Sequence, residues 1–577
     1  MNERRALWWL VSGALALRIV LLVARGDYIV YDEGFYLLLA RSLRAGTGFT
    51  LNGLPHVALS PLQPVLVALA SAAGAPDLWA SRVLAALCGA LLVFPVAALA
   101  RLAGGERAVL PAAILTAASP ALMSFVPFFP GRSWNLYFGS EPLFLLLAFG
   151  AVACAVRAER GSWRWSLAGG GLAALAYLTR LEGALLAGVL LVVLAARLVL
   201  RRDRAAAWGA LALAAAAGAL VAAPYLLYLH RELGRWALSG RVQAAEARGA
   251  VAPSAVESAQ AGGTALEAFV WQGQPDAFVR SMYGLDPTGT RMASQYWGVH
   301  RDDAAGPSRG AAPAPPAATG APALTAATSR PAPPQPAPRR GAVAVWWQGI
   351  TAAVPWWLGV LALVGLACGA RAALVWVFPL VACAVLPSLL VYVEPRSLLP
   401  LAPLAAVYAG VAAARADEWI ERHGTRWPRA ALPAAIALLL IAPAIRDLLR
   451  SRAQTTPLQQ VATAQRTVGE YLDRHLPPGG IVMSFHPAVA IWANRPWRVL
   501  PDDSFDRIMA YARVESAFAV VFSRFGPSPI PHPPRAFTII LPGSAASAVP
   551  GATVQVIPVE ETPLLFVGRL AEARQAP

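Results

Sequence analysis

The sequence predicts an all-α polytopic membrane bundle of about eleven transmembrane helices, followed by a small C-terminal α/β domain. Three observations carry that expectation. Of 577 residues, 57% are hydrophobic and only 14% charged, against about 25% charged in soluble proteins. Several windows hold roughly 17 or more apolar residues without a charge, the length a helix needs to cross hydrocarbon; residues 205–229, AAAWGALALAAAAGALVAAPYLLYL, are one of them. The basic groups are all arginine, and they mostly flank those windows.

In chain order the expected spans are 6–24, 79–102, 107–124, 140–156, 165–180, 183–200, 205–229, 344–368, 371–391, 397–414 and 430–447. The first begins after MNERR and is long for a signal-peptide core, and no small-x-small cleavage site follows it, so a retained helix is expected. Arginine sets the orientation. With the N-terminus inside, the cytoplasmic connections hold sixteen arginines and the short external ones six, counting Arg180 at a helix end. Positive residues resist translocation, so the N-terminus is expected in the cytoplasm and the C-terminus outside.

Three segments stand outside the bundle. The first external loop, 25–78, holds a short helix over Asp32–Arg44 and an apolar stretch, 61–74, interrupted by Pro61 and Pro64 and expected at the interface. The second, 231–343, is an external loop whose Trp271–His300 portion is aromatic and whose 304–341 portion is an Ala/Pro-rich, disordered linker. The third follows the helices of 344–450. Residues 451–577 read as a helix closed by Pro477-Pro478-Gly479-Gly480, then strands at 481–485, 517–522, 536–541, 553–558 and 564–568 with a helix near 503–514. The N-terminal unit is 1–230.

A net charge of +16 suits anionic membrane lipid and topology control, and its placement beside apolar spans argues against nucleic acid. Cys88, Cys154, Cys368 and Cys383 all lie inside apolar segments without metal-ligand spacing and read as small core residues. Arg18, near the outer end of the first span, is expected to snorkel outward.

With that topology, ionisable groups gather at one face. Asp32, Glu33 and His56 lie in the first loop, Glu141 opens the fourth span, Arg180 and Glu182 occupy the turn between the fifth and sixth, and Glu394 and Arg396 sit in a late external turn. Each has a structural reading. Asp32 and Glu33 suit a helix N-terminus, Glu141 is a first-turn acid, and Arg180–Glu182 and Glu394–Arg396 are local pairs. Their convergence in short connections predicts a polar cavity, because unpaired charges at that depth are costly.

The stretches Tyr31-Asp32-Glu33-Gly34-Phe35-Tyr36, Gly46-Thr47-Gly48-Phe49 and Ser60-Pro61-Leu62-Gln63-Pro64 resemble the first loop of the glycosyltransferase-C superfamily. Within it, they look most like the bacterial protein-mannosyltransferase and aminoarabinose-transferase branch. Ser140-Glu141-Pro142-Leu143-Phe144, Leu178-Thr179-Arg180-Leu181-Glu182-Gly183 and Glu394-Pro395-Arg396-Ser397-Leu398-Leu399-Pro400 resemble its later elements in order and spacing. Before the second span, His56-Val57-Ala58-Leu59-Ser60-Pro61 lacks the basic residue that some relatives carry.

The resemblance implies an inner-membrane enzyme. It would transfer a sugar from a polyprenyl-phosphate donor to a lipid, glycan or protein hydroxyl, with membrane lipids as its surroundings. Asp32 is then the general base, with Glu33 as alternate or orienting partner. Arg180 and Arg396 are expected at the leaving phosphate. Glu141, Glu182 and Glu394 would orient those arginines or bind sugar, and Tyr36 and His56 would line the pocket. A divalent cation is compatible with several carboxylates meeting, but no obligatory metal is expected. The competing classes are a lipid-linked polysaccharide polymerase or ligase and a lipid or sugar flippase. Transporters favour internal repeats and midplane charges; here the long apolar spans are nearly free of ionisable residues and no repeat of helical pairs is visible.

Overall fold

The computed structural model describes residues 2–25, 29, 32–51, 54–122, 125–126, 135–136, 139–159, 162–199, 204–240, 342–390, 395–423, 431, 433–442, 457–475, 478–484, 487–499, 517–523, 552–559 and 562–570. The Trp271–His300 portion, the linker 304–341, Glu394, the strand at 536–541 and the helix near 503–514 lie outside the described residues.

The N-terminal unit runs α1 (Glu3–Arg25), α2 (Asp32–Arg44), a hairpin of β1 (Thr50–Leu51) and β2 (Leu54–Pro55), α3 (Leu62–Ala72), α4 (Asp77–Leu91), α5 (Val93–Gly104) and α6 (Glu106–Ala118). A second hairpin, β3 (Phe125–Val126) with β4 (Asn135–Leu136), precedes α7 (Glu141–Ala158), α8 (Trp163–Thr179), α9 (Glu182–Val199) and α10 (Arg204–Leu233). Then come α11 (Ala342–Ala353), α12 (Trp356–Cys368), α13 (Arg371–Leu390), a 3-10 turn at Pro395–Leu398, α14 (Leu401–Arg422) and α15 (Pro433–Ala442).

Among the described residues, five helices are long and apolar enough to cross a membrane: Glu3–Val23, Asp77–Gly104, Glu141–Ala158, Trp208–Leu233 and Arg396–Arg422. Four shorter apolar helices accompany them, and the chain is a multi-pass membrane protein. The Glu141–Ala158 span is 78% buried and Arg396–Arg422 94%, against 17% for Trp208–Leu233. So α7 and α14 form the centre and α10 the rim. The main core joins Val96, Leu115, Phe149, Ala176, Leu380 and Val407. Close helix crossing needs small residues where lipid supplies no hydrophobic drive. A Cβ on Gly365 would fall 1.7 Å from the Tyr408 carbonyl oxygen, so α12 and α14 meet backbone to backbone.

Proline accounts for several differences from the expected boundaries. The span 344–368 is two helices, broken at Pro355, whose ψ of 138° is extended. The span 107–124 ends at Ala118 because Ser119 precedes Pro120 and takes an extended ψ of 119°. The stretch 61–74 is one helix, α3, which Pro61 and Pro64 start rather than interrupt, since first-turn amides lack helical partners anyway. Arg18 departs from the snorkelling expectation. It is 2% exposed and donates to the carbonyls of Leu122 (2.8 Å) and Ala14 (3.1 Å).

The C-terminal unit holds α16 (Pro457–His475), α17 (Ala488–Trp492) and a sheet of order β6-β5-β7-β9-β8. In it β5 (Ile481–Ser484) runs parallel to β6 (Trp497–Val499) and β7 (Ala517–Ser523). The partners of β9 (Thr562–Leu570), namely β7 and β8 (Ala552–Val559), are antiparallel to it. Strand β6 was not expected; its three residues follow Pro496 and are too short for a periodic signal.

Candidate active site

At one end of α7 and α14 the structure brings together five of the singled-out side chains in a chain of ion pairs. Asp32 opens α2, and Arg396 lies in the 3-10 turn before α14. The Arg396 Nη1 donates to Asp32 Oδ2 at 2.9 Å and lies 3.6 Å from Glu141 Oε1. That same Glu141 oxygen accepts from Arg180 Nη1 at 2.7 Å, and Arg180 Nη2 donates to Glu182 Oε1 at 2.9 Å. Side-chain exposure is 17% at Asp32, 9% at Arg396, 4% at Glu141, 10% at Arg180 and 15% at Glu182. The interior of the chain is thus dry and its two acidic ends reach solvent.

Local geometry explains the alignment. Arg180 takes an extended conformation (φ −152°, ψ 145°) as α8 stops, and α9 begins two residues later. The turn is so tight that a Cβ on Gly183 would lie 2.2 Å from the Tyr177 nitrogen, so only glycine fits. Glu141 stands in the first turn of α7 beside Pro142, where the helix dipole favours an anion. Its Oε2 is buried and has no hydrogen-bond partner among the described residues. Tyr36, one turn past Asp32, is 3% exposed and its hydroxyl lies 3.1 Å from Ser140 Oγ. Burial first, and the neighbouring Asp32 charge second, push its phenol above the ordinary tyrosine value.

Not every expected residue joins. Glu33 points elsewhere, as neighbours about 100° apart on a helix must. It is 0% exposed and pairs at 3.3 Å with Arg82 of α4, itself 1% exposed. His56 is 1% exposed; its Nε2 accepts the Leu59 amide at 3.0 Å and its carbonyl accepts the Tyr228 hydroxyl at 2.9 Å. Those bonds pin the first loop, and none reaches the ion-pair chain. Glu394 lies outside the described residues.

Sequence reasoning passed over three residues. Arg82 was a lone charge inside an apolar span, a signal that asks for a buried partner. Ser140 was quoted only as part of a motif. Gln63 is 1% exposed, and neither amide atom has a partner among the described residues. Leu37 and Val67 share a cluster, and Arg41 at the end of α2 bonds Asp77 just past α3. The two helices therefore pack side by side. Among the described residues no group of three or more His, Cys, Asp or Glu side chains is arranged to hold a metal.

No protein-family model matches the sequence, and no curated protein matches it. Solved structures do. ArnT from Cupriavidus metallidurans bound to undecaprenyl phosphate aligns over 99% of this chain and 98% of its own, with TM-score 0.52 and 14% identity. The apo state of ArnT aligns over 96% and 98%, with the same score and identity. The archaeal oligosaccharyltransferase AglB from Archaeoglobus fulgidus, in complex with an inhibitory peptide and a dolichol-phosphate, covers 90% of this chain and 69% of its own at TM-score 0.49 and 13% identity. Along nearly its whole length, the chain has the fold of ArnT.

Proposed function

We propose that this protein is a membrane glycosyltransferase that moves a hexosyl or pentosyl group from a polyprenyl-phosphate carrier to an acceptor hydroxyl at the outer face of the bacterial inner membrane. On this reading the chain crosses the membrane about eleven times, with the N-terminus cytoplasmic and residues 451–577 periplasmic. The observation that carries the reading is the buried chain Asp32–Arg396–Glu141–Arg180–Glu182, drawn from four separate places in the sequence.

The chemistry follows from the residue types. The attacking hydroxyl is neutral and must lose its proton as it reaches the sugar C1, so a carboxylate within hydrogen-bond reach is needed. Asp32, the most exposed member of the chain, takes that role. At rest it is held by Arg396. A phosphate arriving at Arg396 would compete with Asp32 for the guanidinium, and the carboxylate would then turn to accept from the acceptor. Arg180 and Arg396 then stabilise the charge growing on the leaving phosphate with fixed N–H donors, worth most where water is excluded. Glu141 and Glu182 orient the arginines. Tyr36, with Ser140, lines the wall, while Glu33 and His56 hold the loop. These two arginines supply the cationic charge, so no obligatory metal is invoked; activity surviving chelation is the expected result.

The test is transfer by purified protein in lipid vesicles, supplied with radiolabelled polyprenyl-phosphate sugars and candidate acceptors. Wild type should transfer label, and Asp32→Asn, folded as wild type, should lose about 100-fold or more. Full activity in that variant would remove Asp32 as the base.

A further inference from the structure

The C-terminal unit packs on the helix that presents Asp32. The Phe35 and Trp497 rings meet edge to face, with centroids 5.5 Å apart and planes at 76°. Ala488 and Ile491 of α17 share an apolar cluster with Leu37 and Ala40 of α2, and Arg41 Nη2 donates to the Ile491 carbonyl at 3.3 Å. Trp497 is itself fixed: it is 0% exposed, and its Nε1 donates to the Ser484 carbonyl at 3.0 Å. That bond ties β6 to β5, the strand flanked by β6 and β7 in the sheet.

Helix α2 needs such support. It has 13 residues, and helices shorter than about 12–15 residues are marginal on their own, fraying first at their ends. Its last turn is held by Arg41 and Arg44, which both bond Asp77 at the start of α4 (2.8 and 2.7 Å). Its first turn carries Asp32, and Phe35 follows one turn later on the face turned to Trp497. An aromatic edge-to-face pair is worth about 0.5–1.5 kcal/mol beyond burial. Misplacing a catalytic group by about 1 Å can cost on the order of 100-fold in rate.

We propose that Trp497 is a positioning residue: through Phe35, the C-terminal unit holds the first turn of α2 so that Asp32 meets Arg396. This rests on Asp32 acting as the base, and the experiment separates the two ideas. Trp497→Ala in the full-length protein should speed amide hydrogen exchange over residues 32–37 by about tenfold, leaving α7 unchanged. It should lower kcat by about 10- to 100-fold while the donor KM moves less than about twofold, and Trp497→Phe should restore most of both. Phe35→Leu reads the same contact from the other side, so the outcome does not hang on one variant folding. Unchanged exchange over 32–37 in either variant, or faster exchange spread equally over α7, would overturn the positioning role. Wild-type transfer by Asp32→Asn would instead remove the base assignment, and the exchange measurement would still decide what Trp497 does.

Discussion

The two ends of α14 carry the same residue types and use them differently. Beyond its N-terminus lies Arg396, buried and shared between Asp32 and Glu141. Near its C-terminus Arg415 bonds Glu418 at 2.8 Å, with side chains 50% and 21% exposed, and Arg107 bonds Glu421 at 2.9 Å, with 42% and 39% exposed. A pair in water is screened and costs side-chain entropy to hold. A chain of buried pairs cannot lose one member without stranding the next. The contrast teaches that linkage and dryness, rather than the presence of an acid and an arginine, single out a site.

Substitutions at three positions bear on that contrast. The largest effect belongs to Arg180→Ala, which removes donors to both Glu141 and Glu182. It should lower kcat by about 100-fold, in the range of one lost electrostatic donor; Arg180→Lys should recover only part, since an ammonium does not fork. An unchanged single-turnover rate would remove Arg180 from the phosphate site. Next comes Glu33→Gln, which removes the buried carboxylate charge paired with Arg82. A loss of about 3–5 kcal/mol of stability is expected, read by unfolding in detergent, with kcat of the folded fraction largely kept. Collapse of kcat at unchanged stability would return Glu33 to the catalytic set. The smallest is Glu418→Gln, whose stability change should stay below about 1 kcal/mol with unaltered transfer. A loss as large as that of Glu33→Gln would break the distinction between the two ends.

Much of this was legible in the sequence because it is local or periodic. Helix α2 spans Asp32–Arg44 as expected, and the turn bearing Arg180 and Glu182 lies where the apolar runs stop. The illegible part is what depends on rotation and packing. Asp32 and Glu33 are adjacent in sequence, yet one joins Arg396 and the other Arg82, a choice made by the helix's roll against α4. Arg18 turns inward because the Leu122 carbonyl at the end of another segment accepts it, which no spacing within α1 announces. His56 folds back on Leu59, a turn whose closure depends on Tyr228 arriving from α10.

Asp32 and Glu182, at opposite ends of the ion-pair chain, act as one unit. A double-mutant cycle on kcat with Asp32→Glu and Glu182→Gln tests it most directly. The account predicts a coupling of at least about 1 kcal/mol, while effects that add within about 0.3–0.5 kcal/mol, the behaviour of independent sites, would contradict it.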